Sequence, residues 1–180
     1  MMDYRDVLRF WFTELAPQQW WTKSVHLDRM IRDRFAVLHQ QAASGECDAW
    51  RSCPEGALAE VIVLDQFSRN MYRDDPRSFA FDGMALTLAQ HAVEKGYHHH
   101  LSVRQLPFLF LPYMHSESLK VHEQALVLFS VAGLEDNYEF ELKHKAIIER
   151  FGRYPHRNAL LGRGSSDAES LFLTQPGSSF

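Results

Sequence analysis

Apolar residues recur at helical spacing in every periodic segment of this chain, and no stretch between turn signals alternates with a period of two. Asp3 is placed to cap a first helix over residues 4–14, whose Val7, Leu8, Phe10, Trp11 and Phe12 form a broad apolar face before Pro17 and Trp20-Trp21 interrupt it. Ser24 caps a second helix over 25–43, with Leu27, Ile31, Phe35, Leu38 and Ala42 on one stripe and Gly45 as its stop. Ser52-Cys53-Pro54-Glu55 combines a capping box with proline in the first turn, and predicts a third helix through Leu58, Val61 and Ile62.

After the turn Arg73-Asp74-Asp75-Pro76, a fourth helix is predicted from about Phe79 to Lys95, closed by Gly96. Leu106 to Tyr113 is apolar on all sides and bracketed by Pro107 and Pro112, which predicts a short buried helical turn. Ser116 is expected to cap a helix reaching about Val131, apolar all round from Ala125 to Phe129 and therefore central, with Leu126, Phe129, Leu88 and Ile147 as core residues. Residues 136–151 form the next, with Phe140, Ile147, Ile148 and Phe151 inward and Gly152 at its end. A last helix over about 167–173 starts from the box Ser166-Asp167-Ala168-Glu169. The pattern predicts an all-α domain over residues 1–173, with seven or eight helices in stacked antiparallel pairs, and a polar tail over 174–180. No sequence repeat has the period of the common helical solenoids.

Polar residues that break the pattern mark the candidate chemistry. The third helix continues its apolar stripe with Asp65 and Arg69, four residues apart, so these charges either pair inside the core or line a cleft with Asp65 orienting Arg69. His115 and Glu117 flank the expected helix start at Ser116, where free backbone N–H groups favour an anion. His144 falls on the inward face of its helix, as a core histidine or a ligand. The segment from Arg150 to Arg163 has no acid, and its Arg153, His156, Arg157 and Asn158 offer donors for carboxylate or phosphate, or else form a solvated basic loop.

Composition narrows the classes. With 19 basic and 23 acidic residues in 180, the chain has net charge −4 and no basic field for nucleic acid or anionic lipid. No charge-free run approaches the roughly 20 residues that span a bilayer, and the first residues do not read as a secretory signal. Cys47 and Cys53 sit in one loop without CxxC spacing, which fits reduced thiols, so a soluble cytoplasmic protein is expected. The signatures GxxxxGK[ST], GxGxxG after a strand, HExxH and GxSxG are absent, no cofactor is expected, and His98-His99-His100 reads as an exposed loop. Oligomeric state leaves no trace in the sequence.

Three strings carry a family resemblance: Leu64-Asp65-Gln66-Phe67-Ser68-Arg69-Asn70-Met71-Tyr72-Arg73, Leu111-Pro112-Tyr113-Met114-His115-Ser116-Glu117, and Phe151-Gly152-Arg153-Tyr154-Pro155-His156-Arg157-Asn158. They resemble the bacterial family catalogued as domain of unknown function 924, from the first helix to Phe172-Leu173. The resemblance implies an all-helical fold similar to tetratricopeptide-repeat superhelices and supplies no activity. Its motif positions here are Asp65, Gln66, Arg69, Asn70, Arg73, His115, Ser116, Glu117, His144, Arg153, His156, Arg157 and Asn158, whose polar character suggests one convergent site.

Three functions compete. The first is a binding module for an anionic small molecule or carboxylate-bearing peptide, held by Asp65, Arg69, Arg73, Ser116, Arg153, Arg157 and Asn158. The second is an acid/base hydrolase, with Glu117 or His115 as base and His156 as acid; its metal-assisted form would use His115, Glu117, His144 and His156 as ligands. The third is a buried polar network that only fixes helix register.

Overall fold

A computed structural model describes residues 2–180, and among them the regular structure is entirely helical, without a strand. Eight α-helices follow one another. α1 (Tyr4–Arg9) is capped by Asp3 and continues through a π turn, Phe10–Glu14. α2 (Val25–Ala43) starts at Ser24, whose hydroxyl accepts from the Leu27 N–H, as the sequence predicts. α3 runs from Pro54–Ile62 through a second π turn, Val63–Phe67, to Ser68–Met71. Then come α4 (Asp82–Glu94), α5 (Leu106–Met114), α6 (Leu119–Phe129), α7 (Glu135–Phe151) and α8 (Asp167–Leu173).

The middle of the molecule is α3 and α5. Every residue from Gly56 to Ser68 is buried, and so are all nine residues of α5. α1, α4 and α5 pack on the first half of α3, α2 lies along its second half, and α6 and α7 extend the stack from α5. Trp11, Phe67, Phe35, Phe10 and Phe108 meet edge-on or tilted in this core, which suits the quadrupoles of their rings. A Cβ at Gly56 would overlap the Trp50 carbonyl oxygen, so glycine is what lets the preceding loop lie against the start of α3.

Several local expectations are corrected. Ser52 does not cap α3; its hydroxyl donates to the Ala49 carbonyl, and Cys53 precedes the helix with no side-chain cap. Residues Pro76–Phe79 form a 3₁₀ turn capped by Asp75, which delays α4 to Asp82. Ser116 is not the cap of α6, which starts at Leu119, so the 115–118 segment is loop and presents no helix N-terminus there. α6 is not central either, because only one of its faces is covered by α5 and α7: Val127 is 71% exposed and Leu126 only half-buried. Phe129 and Ile147 are buried as expected, Leu88 is half-buried, and Phe140 faces outward at 53% exposure. Residues 174–180 turn back on the fold, with Ser178 buried and the Phe180 ring 3.8 Å from that of His144. No helix among the described residues is long and apolar enough to cross a membrane.

Candidate functional site

The π turn in α3 carries the first site residue. A π turn adds a residue to the helix and re-aims the side chains after it, and such turns recur at functional positions. Asp65 lies inside this one, fully buried between α3, α4 and the end of α5. Its Oδ1 accepts from His115 Nδ1 at 2.7 Å and Arg69 Nη1 at 3.1 Å, and its Oδ2 accepts from Gln66 Nε2 at 2.6 Å. Burial alone would raise the Asp65 pKa; the charge of Arg69 and these hydrogen bonds hold it well below the usual carboxylate range. The ionised carboxylate only accepts, so His115 carries its proton on Nδ1 and leaves the Nε2 lone pair free. Nε2 has no hydrogen-bond partner among the described residues and is not sealed from solvent. Burial first, and then Arg69, push the His115 pKa below 6.5, so the ring is neutral at pH 7.

Arginines and acids alternate around this pair. Arg69 is held by both oxygens of Asp82, at 2.9 and 3.0 Å, from the first turn of α4. Arg157, in the short 3₁₀ turn Pro155–Arg157, reaches Asp82 at 3.3 Å and donates to the His115 carbonyl at 2.9 Å. Its guanidinium stands 4.6 Å from the Phe79 ring and 4.7 Å from that of Tyr154, and its buried Nε has no partner. Glu117 is clasped by Arg163 at 2.7 and 2.9 Å and accepts from the Tyr154 N–H at 2.7 Å. Burial would raise its pKa, but the Arg163 bonds and that N–H lower it.

A buried relay behind the loop holds it in place. Tyr154 Oη donates to the Met114 carbonyl at 2.5 Å. His122 contacts the Ser116 carbonyl through Nε2 at 2.8 Å and Glu141 through Nδ1 at 2.6 Å. A carbonyl only accepts, so Nε2 carries a proton and the Glu141 contact is made either by a carboxyl O–H or by a second imidazole N–H. Desolvation raises the Glu141 pKa, and its second oxygen is unpartnered.

One cleft of about 320 Å³ lies between α4, the end of α5 and the Arg157 turn. His115, Ser116, Glu117, Asp82 and Arg157 make its polar wall, and Pro76, Phe79, Ala80, Leu86, Pro112 and Leu161 the apolar remainder. Arg69 and Asp65 stand directly behind the polar wall, Arg69 20% exposed and Asp65 not at all.

The structure therefore brings together Asp65, Arg69, His115, Ser116, Glu117 and Arg157. It does not bring in the others. Arg73 pairs with Asp28 of α2 at 2.6 Å, and Arg153 with Glu169 of α8 at 2.7 Å. Asn158 is buried, where it accepts from Arg163 and donates to Ser165. His156 is not in the cleft wall; its ring packs on Tyr154 and Phe180, and burial first, then Arg157, pushes its pKa down to about 4. His144 lies beside it and bonds the Phe140 carbonyl, its pKa lowered to about 3 mainly by burial. The metal set His115, Glu117, His144 and His156 is thus split, with Glu117 committed to Arg163, and no three His, Cys, Asp or Glu among the described residues are placed to hold a metal ion. Sequence reasoning missed Asp82, Phe79 and Tyr154. Asp82 is an acid in the first turn of a helix, where acids are favoured by the dipole alone, so its type and place carry no signal of a site.

Comparison with known proteins adds kinship without an activity. No curated protein matches the chain. It is similar to the solved structure of the protein of unknown function ATU0120 from Agrobacterium tumefaciens, with a TM-score of 0.87 and 32% identity over 94% of this chain and 96% of that one. The model of the family described as bacterial protein of unknown function, DUF924, matches residues 7–177, and the chain belongs to that family.

Proposed function

We propose that the cleft is an acid/base site for a small molecule, with the His115 imidazole as the base and Asp65 as the residue that orients it. The observation that carries this reading is the 2.7 Å bond from His115 Nδ1 to a completely buried carboxylate, at the wall of an open cleft. Asp65 selects the tautomer and stabilises the imidazolium that forms when Nε2 takes a proton. Glu117, held by Arg163 through both oxygens, and His156, outside the wall, are given no proton-transfer role in this reading. This reading keeps the His115 branch of the hydrolase alternative, with water or substrate as the proton donor. Anion recognition is the complementary part of the same site, because Arg157 is the arginine in the wall and holds only a 3.3 Å share of a carboxylate that Arg69 already occupies.

Acylation by diethyl pyrocarbonate, read by peptide mass spectrometry, tests the base. The reagent attacks neutral imidazole, so His115 is expected to react at pH 7 with a midpoint below 6.5, and Asp65→Asn is expected to slow it several-fold because an amide stabilises the positive charge that develops on the ring less than a carboxylate does. A His115 that does not react, or reacts equally fast in Asp65→Asn, refutes the proposal.

A further inference from the structure

The charge balance of the cleft limits what it can hold. Asp65, Asp82 and Glu117 balance Arg69, Arg157 and Arg163, with His115 neutral. Inorganic phosphate or a phosphoryl group would bring nearly two negative charges into a site with no excess positive charge, against a desolvation cost that only pairing offsets. One negative charge is different, because one arginine is under-served. Arg69 and Arg163 each hold a carboxylate through two short bonds, whereas Arg157 has no carboxylate of its own: it shares Asp82 with Arg69 through one 3.3 Å bond and otherwise donates to the neutral His115 carbonyl. Desolvation and the neighbouring Arg69 charge lower its pKa, so this guanidinium gains from one more anion. Phe79 and Tyr154 hold its plane on its two ring contacts, which spares a ligand the cost of ordering it. The rest of the wall is apolar, with Leu86, Leu161, Pro76 and Pro112 offering no hydrogen bond from their side chains.

We infer that the ligand of this cleft is a small monocarboxylate with a short aliphatic body, its carboxylate on Arg157 beside His115 and its hydrocarbon against Leu86 and Leu161. The inference rests on reading the cleft as a small-molecule site, and it adds the chemical class. A body of about five or six carbons suits a cleft at the small end of ligand sites, which run from roughly 300 Å³.

The test is calorimetric titration of the full chain with three probes, 4-methylpentanoate, its neutral amide and inorganic phosphate, with the histidine ring signals followed by NMR. The carboxylate is expected to bind and move the His115 ring signals. The amide should bind roughly tenfold more weakly, the difference between a charge-assisted and a neutral hydrogen bond. Phosphate should not compete with the carboxylate. Arg157→Gln should reduce the carboxylate to the level of the amide; because Arg157 is buried, Leu161→Trp at the partly exposed edge serves as a second variant and should weaken carboxylate and amide alike. Equal binding of carboxylate and amide, tighter binding of phosphate, or no movement of the His115 signals overturns the inference. The acylation experiment needs no ligand, so a failed base with a bound carboxylate, and an active base with no carboxylate selectivity, are separable results.

Discussion

Replacing Asp65 by Asn removes one charge from the most buried acid of the cleft and changes little else in shape. The native carboxylate accepts from His115, Arg69 and Gln66 and is wholly inaccessible to solvent. Asparagine keeps one acceptor oxygen, so Gln66 must turn its amide to avoid two facing N–H₂ groups, and Arg69 loses one of its two carboxylates. Breaking a buried ion pair outright costs about 3–5 kcal/mol. Asp82 still holds Arg69 through two bonds, which spares the guanidinium from isolation and brings the expected loss to about 2–4 kcal/mol at pH 7. The pH dependence follows from the lowered pKa. A carboxyl held below its unfolded value of about 3.9 contributes its stability above that pH and loses it as pH falls through the folded value. Urea unfolding of wild type and Asp65→Asn between pH 7 and pH 3, followed by circular dichroism, should therefore show a deficit that is constant above about pH 5 and narrows below about pH 4. A deficit under about 1 kcal/mol at pH 7, or one unchanged down to pH 3, would refute the assignment of a buried, ionised Asp65.

The remaining predictions concern packing, close approach and capping. Phe129→Ala should cost about 3–5 kcal/mol in the same unfolding assay, whereas Phe140→Ala should cost under about 1, since its ring is outside. Gly56→Ala should destabilise by about 1–3 kcal/mol, because its Cβ would meet backbone that cannot swing away; no loss would mean that the 48–52 loop moves freely off α3. Ser166→Ala should cost about 1 kcal/mol by removing a cap bonded to the Glu169 N–H, while Ser116→Ala should cost less than about 0.5, and the reverse order would restore Ser116 as a helix cap.

What the sequence determined on its own is the class of fold and the ends of the helices with unambiguous punctuation. Apolar spacing follows the 3.6-residue turn wherever a helix has one covered face, and Asp3, Ser24 and Ser166 cap because the next N–H groups have no other acceptor nearby. The same reasoning failed at Ser52 and Ser116, which lie one and two residues before the true boundary residues, Cys53 and Ser118. It also misjudged α6, since a helix rich in apolar residues is buried only as far as its neighbours reach around it. At the site, the sequence singled out Asp65 and Arg69 because charges on an apolar stripe demand partners. It could not say which partners. Arg73 and Arg153 were as plausible as Arg157, and only the packing of α2 and α8 supplied Asp28 and Glu169 to satisfy them. Asp82, separated from Arg157 by 75 residues, became a shared carboxylate through the approach of α4 to the Arg157 turn. The tertiary structure alone left His115 Nε2 without a partner at a cleft, paired Glu117 with Arg163 and packed His156 on Tyr154 and Phe180, because hydrogen bonding depends on neighbours that sequence distance does not record.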